Sequence, residues 1–449
     1  MIELVAIILQ FFIFLIIFSF PFNPKNLNKI LKNSENSFNY IDCQAVNIII
    51  LAGILLVLSF FNINLKNIYY VLLLLSLAML VKRNKEYLLL FNRENFFKFI
   101  FFSTITMAIF ISTSYVPRLE WDGFHWIQKA ILFFNNTEIQ NLKHVGMPEY
   151  PHLGAYIWAF FWKNSLLQHE YLGRLFYIYF YIISLFTIFN SVKLESKKII
   201  YILFFSLIII TYDRYLFGGY QEYLIFSTLL VASRFISTIK FKNNIEHNKI
   251  ILILFFMSIL MWFKDEGIFY FLIFGSLLII MQKCEIKFKL LYLFGIIFLI
   301  FAQHYLQKNV IGIYGFSTEF LSQKVINQIL DIKIIIYKTA LITKHMLIAF
   351  LKYPLWIIII LSLIFLKSFK VDYLRYLFYA LILNFLFLYA IYINDPSPIT
   401  KVSTDGTELL YEFVLSVTLD RVIFQTSGFY ILLFLSILNS TTLISKKNN

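Results

Sequence analysis

Apolar residues arrive along this chain in long runs, separated by polar breaks that carry most of its charges. The runs are about 16–22 residues long, the length a helix needs to cross about 30 Å of hydrocarbon. They predict about thirteen spans, at residues 4–20, 46–62, 67–81, 97–115, 171–190, 199–212, 219–236, 249–263, 267–282, 290–305, 354–367, 373–393 and 425–442. Several are short, which suits tilted or partly re-entrant helices. The first run lacks a basic leader and a small-residue cleavage site, and Pro21-Phe22-Asn23-Pro24 follows it, so it reads as a helix rather than a signal peptide. The expected fold is all-α, a polytopic transmembrane helical bundle. Residues 1–96 form its N-terminal helices and 97–449 a second module. Exterior loops at 116–170, 306–353 and 394–424, with amphipathic surface helices, would enclose a cavity.

Composition agrees: hydrophobic residues are 60% of the chain, aromatic residues 20%, and mean hydropathy is +0.76. With the N-terminus outside, Lys25, Lys29, Lys32, Lys82, Arg83, Lys85, Lys197, Lys198, Lys240, Lys242, Lys283 and Lys287 all fall on the cytoplasmic side, as the positive-inside rule requires. The segment 331–352 must then stay outside, as an amphipathic helix on the outer face, because Lys333, Lys338, Lys344 and His345 interrupt it at helical spacing. The net charge of +14 therefore reads as anchoring to anionic lipid headgroups, and no nucleic-acid partner is implied. Cys43 and Cys284 both land on the cytoplasmic side, as free thiols.

The acids collect at the opposite face. Glu120-Trp121-Asp122 follows the fourth span, with Arg118, His125 and Lys129 around it. A carboxylate beside an apolar cavity makes a general base, although acids there could also serve only to cap the helix predicted over 123–134. Tyr150-Pro151-His152-Leu153 presents hydrogen-bonding tips beside an aromatic run, which also reads as an interfacial belt. Gly218-Gly219-Tyr220-Gln221-Glu222 carries an acid one turn into a span, where it needs a partner, Arg214 being one candidate. Lys264-Asp265-Glu266-Gly267 fills a whole tight turn, and Lys264 could hold a phosphate. Ser416 to Arg421 precedes the final span, and Arg421 is placed to grip a lipid-linked phosphate. Each of these charged groups also has a purely structural reading, as an ion pair, a polar hairpin or a snorkelling side chain.

No Cys/His zinc spacing, phosphate-binding glycine loop or serine-nucleophile elbow is present. The order of Trp121-Asp122, Tyr150-Pro151-His152-Leu153, Gly219-Tyr220-Gln221-Glu222, Lys264-Asp265-Glu266-Gly267 and Ser416–Arg421 resembles the integral-membrane C-type glycosyltransferases (GT-C), which include protein O-mannosyltransferases and aminoarabinose transferases. The resemblance runs from about residue 97 to 430. It implies a polyprenyl-phosphate-sugar donor, an acidic base in the first exterior loop, and inversion at the anomeric carbon. Carried over, the base is Asp122 with Glu120 in reserve. Lys264 and Arg421 take the donor phosphate, and His152 and Glu222 line the pocket, with Tyr150, His125 and Lys129 beside it. The chain departs in having three spans ahead of the one that leads into the presumed catalytic loop, His152 where a second proline is common, and a short C-terminal region.

The partners so implied are membrane lipid, the lipid-linked sugar, and a glycan, lipid or protein acceptor. No cofactor is assigned beyond the lipid-linked sugar donor as substrate, and a divalent metal is left open. The Ile-, Asn-, Lys- and Phe-rich usage suggests an AT-rich genome and a bacterial inner membrane, with the site facing the periplasm or exterior. A lipid-linked polysaccharide polymerase or ligase is the nearest alternative, relying more on arginine and histidine than on a carboxylate base. A transporter or flippase is the alternative from another class, and it would place ionisable residues at mid-membrane on broken helices.

Overall fold

The computed structural model describes residues 2–31, 38–82, 104, 107, 108, 119, 122–191, 218–241, 246–313, 330–352, 372–397 and 410–447. Among these the chain is all-helical, without a strand. The helices are α1 (Ile2–Ile17), α2 (Pro24–Ile30), α3 (Tyr40–Ser59), α4 (Leu65–Lys82), α5 (Asp122–Phe134), α6 (Leu153–Lys163), α7 (Glu170–Ser191), α8 (Glu222–Ile236), α9 (His247–Phe263), α10 (Glu266–Met281), α11 (Ile286–Tyr305), α12 (Ile332–Lys352), α13 (Asp372–Ile393) and α14 (Tyr411–Lys447).

Helix α8 is the centre of the bundle. Every residue from Glu222 to Ile236 is buried, as expected of a helix apolar on all sides. It packs against α7, α9 and α14. Rings fill the seams: Phe226 stacks on Phe424 at 5.0 Å, and Tyr181 meets Tyr223 edge-on at 4.8 Å. Its two charged residues lie near its ends, where other chain ends can meet them. Near the C-terminal end Arg234 bonds Asp42 (3.2 and 3.3 Å), and Asp42 also completes the capping box that starts α3. At the N-terminal end Glu222 opens the candidate site. By contrast α11 lies at the rim, with only Ile296 and Gln303 buried and Phe294, Phe298 and Phe301 exposed.

Among the described residues, five helices are long and apolar enough to cross a membrane: Tyr40–Ser59, Leu65–Lys82, Glu170–Ile188, Ile286–Ile311 and Asp372–Ile393. They suggest a membrane protein. Helices α1, α9 and α10 are apolar but shorter, at 16, 17 and 16 residues; at 1.5 Å per residue such helices fall short of about 30 Å. The predicted spans at 199–212 and 354–367, and nearly all of 97–115, lie outside the described residues. The predicted count of about thirteen is therefore not confirmed.

Two expected loops are revised. Within 116–170, the stretch Leu153–Phe161 is not a covering loop: all nine residues are buried in α6, packed against α3, α5 and α7. Its aromatic run is core, because Phe161 stacks on Phe176 (5.3 Å) and Trp158 meets Tyr177. Within 394–424, the chain is helical from Tyr411 onward, so Arg421 sits on the continuous helix α14 rather than in a loop. Helix α12, the expected surface helix, lies against α13 and α14. Lys338 donates to the carbonyls of Ile393 (3.0 Å) and Asp395 (2.7 Å), and Lys344 pairs with Glu412 (2.7 Å).

Candidate functional site

Four chain segments bring their charged residues together at one end of the bundle. Asp122 is the first residue of α5, Glu222 the first of α8, Lys264 the residue closing α9, and Arg421 lies on α14. Placing acids at the starts of α5 and α8 suits the positive ends of their dipoles. The Arg421 guanidinium donates from Nε to Glu222 Oε1 (3.0 Å), and from one terminal nitrogen to Glu222 Oε1 (2.6 Å) and Asp122 Oδ2. It lies over the Tyr220 ring at 4.3 Å. Lys264 Nζ donates to the same Glu222 Oε1 (2.9 Å) and pairs with Glu266 (3.2 Å). Burial works against the Lys264 ammonium, but Glu222 and then Glu266 outweigh it and hold its pKa above the ordinary lysine value. Glu222 is fully buried, and its second oxygen, Oε2, has no hydrogen-bond partner.

Two glycine contacts set this geometry. A Cβ on Gly123 would stand 2.1 Å from the Gly218 carbonyl oxygen, so only glycine lets the start of α5 touch the turn that leads into α8. A Cβ on Gly267 would stand 2.0 Å from the Leu260 carbonyl oxygen, so the α9–α10 hairpin closes tightly enough to aim Lys264 at Glu222.

A second layer lies beside the first. Lys129, fully buried on α5, donates to the Tyr150 carbonyl (2.6 Å) and lies by the rings of Trp126 (5.3 Å) and Tyr150 (5.8 Å), which stack on each other. Burial lowers its pKa to about 7, against the opposing pull of Asp265 and Glu149. Asp265 is pushed up to about 8, first by burial and then by Glu266. Its Oδ2 is enclosed without a partner.

Asp122, Glu222, Lys264 and Arg421 are thus one constellation, and Tyr150 and Lys129 border it. Glu222 takes Lys264 and Arg421 as partners; Arg214, the expected one, lies outside the described residues, as do Glu120, Trp121 and Arg118. His152 is not a group of this cluster. It is buried among Phe60, Phe133 and Trp262, and its Nε2 lies 2.8 Å from Ser59 Oγ. Burial, then Lys129, lowers its pKa to about 3, so it packs as a neutral ring. His125 lies one turn past Asp122, towards Gly146, with Nδ1 unpartnered. Ser416 is exposed and bonds its own helix at the Phe413 carbonyl. The sequence reading assigned no role to Tyr220, Asp265 or Glu266, although all three stand inside the motifs that pointed to their neighbours. Among the described residues no group of three His, Cys, Asp or Glu side chains is placed to hold a metal ion.

Searches against protein-family models, curated proteins and solved structures give no match, so the functional reading rests on this chain's own residues.

Proposed function

We propose that the chain is a membrane glycosyltransferase that moves a sugar from a polyprenyl-phosphate donor to an acceptor hydroxyl, at the exterior face of a bacterial inner membrane. The observation that supports this reading is the convergence of Asp122, Glu222, Lys264 and Arg421, each picked out by its own motif, at one end of the bundle. In this scheme the acceptor oxygen attacks the anomeric carbon and the bond from that carbon to the phosphate oxygen breaks. Asp122 receives the acceptor's proton, and polyprenyl phosphate leaves with the electron pair of the broken bond. Arg421 and Lys264 stabilise the charge that grows on the departing phosphate. Attack opposite the leaving group inverts the anomeric centre.

The ion pairs add a step. The Asp122 oxygen that would receive the proton is held by Arg421, and Glu222 accepts from both cations. A donor phosphate seated on Arg421 takes the place of Asp122 there and releases it as a base only when substrate is bound. Glu222 stays and fixes both cations, while Tyr150 and Lys129 border the pocket.

The test is transfer by purified protein in lipid nanodiscs with a panel of polyprenyl-phosphate sugars. One donor is consumed by the wild type, and Asp122→Asn, which can still accept from Arg421, lowers turnover by about 10²–10⁴-fold. Full activity in a correctly inserted Asp122→Asn protein would remove the base assignment. Turnover confined to diphosphate-linked glycans would favour a polymerase or ligase.

A further inference from the structure

The ionic cluster leaves a separate cavity at the same end of the bundle unexplained. Its volume is about 250 Å³, and it lies between the turn joining α3 to α4 and the segment that follows α5. Phe60, Phe61 and Phe133 supply apolar walls, and Asn136, Gln140 and Tyr156 supply polar ones. Tyr156 is 3% exposed, and its hydroxyl has no hydrogen-bond partner. Asn136 Oδ1 is likewise buried and unpartnered, on a backbone held at φ 54°. Buried polar atoms are normally paired, so an aromatic hydroxyl and an amide oxygen without partners on two residues that line one cavity mark a place where a ligand can supply the missing bonds.

The wall chemistry narrows that ligand. Among the described residues that line the cavity, Glu138 is the one charged side chain, so nothing there compensates an anion. Amides and hydroxyls offer both donors and acceptors, which suits a group bearing several hydroxyls. The three phenylalanine rings suit the C–H face of a ring. The volume equals roughly eight waters at about 30 Å³ each, room for one six-membered sugar.

We infer that this cavity is a binding subsite for a neutral pyranose ring, with Tyr156, Asn136 and Gln140 bonding its hydroxyls. Ser59, on its wall, bonds His152, and the His152 ring packs on Trp262, two residues before Lys264. The subsite and the ionic cluster therefore share one packed partition. If the transferase reading holds, on which this last assignment rests, the ring belongs to the acceptor, because the donor's phosphate needs cations that the cavity lacks.

Saturation-transfer NMR on the full chain in nanodiscs tests this with methyl pyranosides of glucose, mannose and galactose and with their 1-phosphates. At least one methyl pyranoside binds, and Tyr156→Phe weakens it about tenfold, the value of one hydrogen bond. Thermal stability stays unchanged in that variant, because the lost hydroxyl has no partner in the protein. Gln140→Ala weakens binding in the same direction. The inference is overturned if no neutral pyranoside binds to folded protein, if the 1-phosphates bind more tightly through the same residues, or if Tyr156→Phe and Gln140→Ala bind as the wild type does. Binding with no transfer from any donor would sink the transferase reading and leave the subsite standing.

Discussion

At the scale of single residues, burial decides which charges matter. Glu222 is fully buried, and its Oε1 receives both Arg421 and Lys264. Removing one member of such a group leaves uncompensated charge, which costs about 3–5 kcal/mol. Glu222→Gln is expected to lower stability by that amount in thermal melts of the solubilised protein. Glu412→Gln breaks a pair whose side chains are 49% and 57% exposed, and its effect should stay below about 1 kcal/mol. Asp265 makes a different prediction. Its folded pKa, about 8, lies above the usual carboxylate value of about 4, so the folded state keeps a proton that the unfolded state has released. The stability Asp265 contributes is thus fully present below pH about 4 and is lost as pH rises towards about 8. Two groups oppose it: His152, lowered to about 3, adds an upward slope between there and about 6.5, and Lys129, lowered to about 7, adds one above that pH. The difference between wild-type and Asp265→Asn melts across about pH 5 to 7 isolates the Asp265 arm, and it should shrink as pH rises. Asp122, Glu222, Lys264 and Arg421 were legible in the sequence because ionisable groups are conspicuous among Ile, Leu and Phe. Their pairing was not, since Glu222 and Arg421 stand 199 positions apart.

Elements show where periodicity alone runs out. An apolar run in the sequence states that a segment is buried but not what buries it. The aromatic run of α6 matched an interfacial belt equally well, yet it lies in the core because α3, α5 and α7 close around it. The start of α14 shows the converse. Glu412, Ser416, Asp420 and Arg421 made 411–424 look like a polar loop, but α12 and α13 pack along this stretch and it continues the last helix. Close helix approaches are fixed by small residues whose role no local pattern reveals. Gly123→Ala is expected to destabilise the protein by about 1–3 kcal/mol, because its methyl group would collide with the Gly218 carbonyl. It should also cut transfer activity by moving Asp122 away from Arg421, and parallel melts and donor-consumption assays would show both effects.

For the whole molecule, the site draws on the starts of α5, α8 and α10, the end of α9, and the first third of α14 at a single end of the bundle, as alternating helix directions require. The proposed orientation makes a topological prediction for Cys284, half-buried in the turn between α10 and α11 at the far end. A membrane-impermeant maleimide should label Cys284 in inverted vesicles and not in intact cells, while Cys43, 2% exposed, stays unlabelled in folded protein from either side. Labelling of Cys284 from outside intact cells would reverse the orientation. The sequence by itself determined the helical class, the apolar character and the residue types that carry chemistry, because helix length, hydropathy and ionisable groups are local properties. Only the tertiary structure decided that Asp122, Glu222, Lys264 and Arg421 share one network, that His152 is packing, and that Tyr156, on a cavity wall, keeps a buried hydroxyl without a partner. Those outcomes depend on which distant side chains satisfy each buried polar atom, and that is set when helices far apart in the chain come into contact.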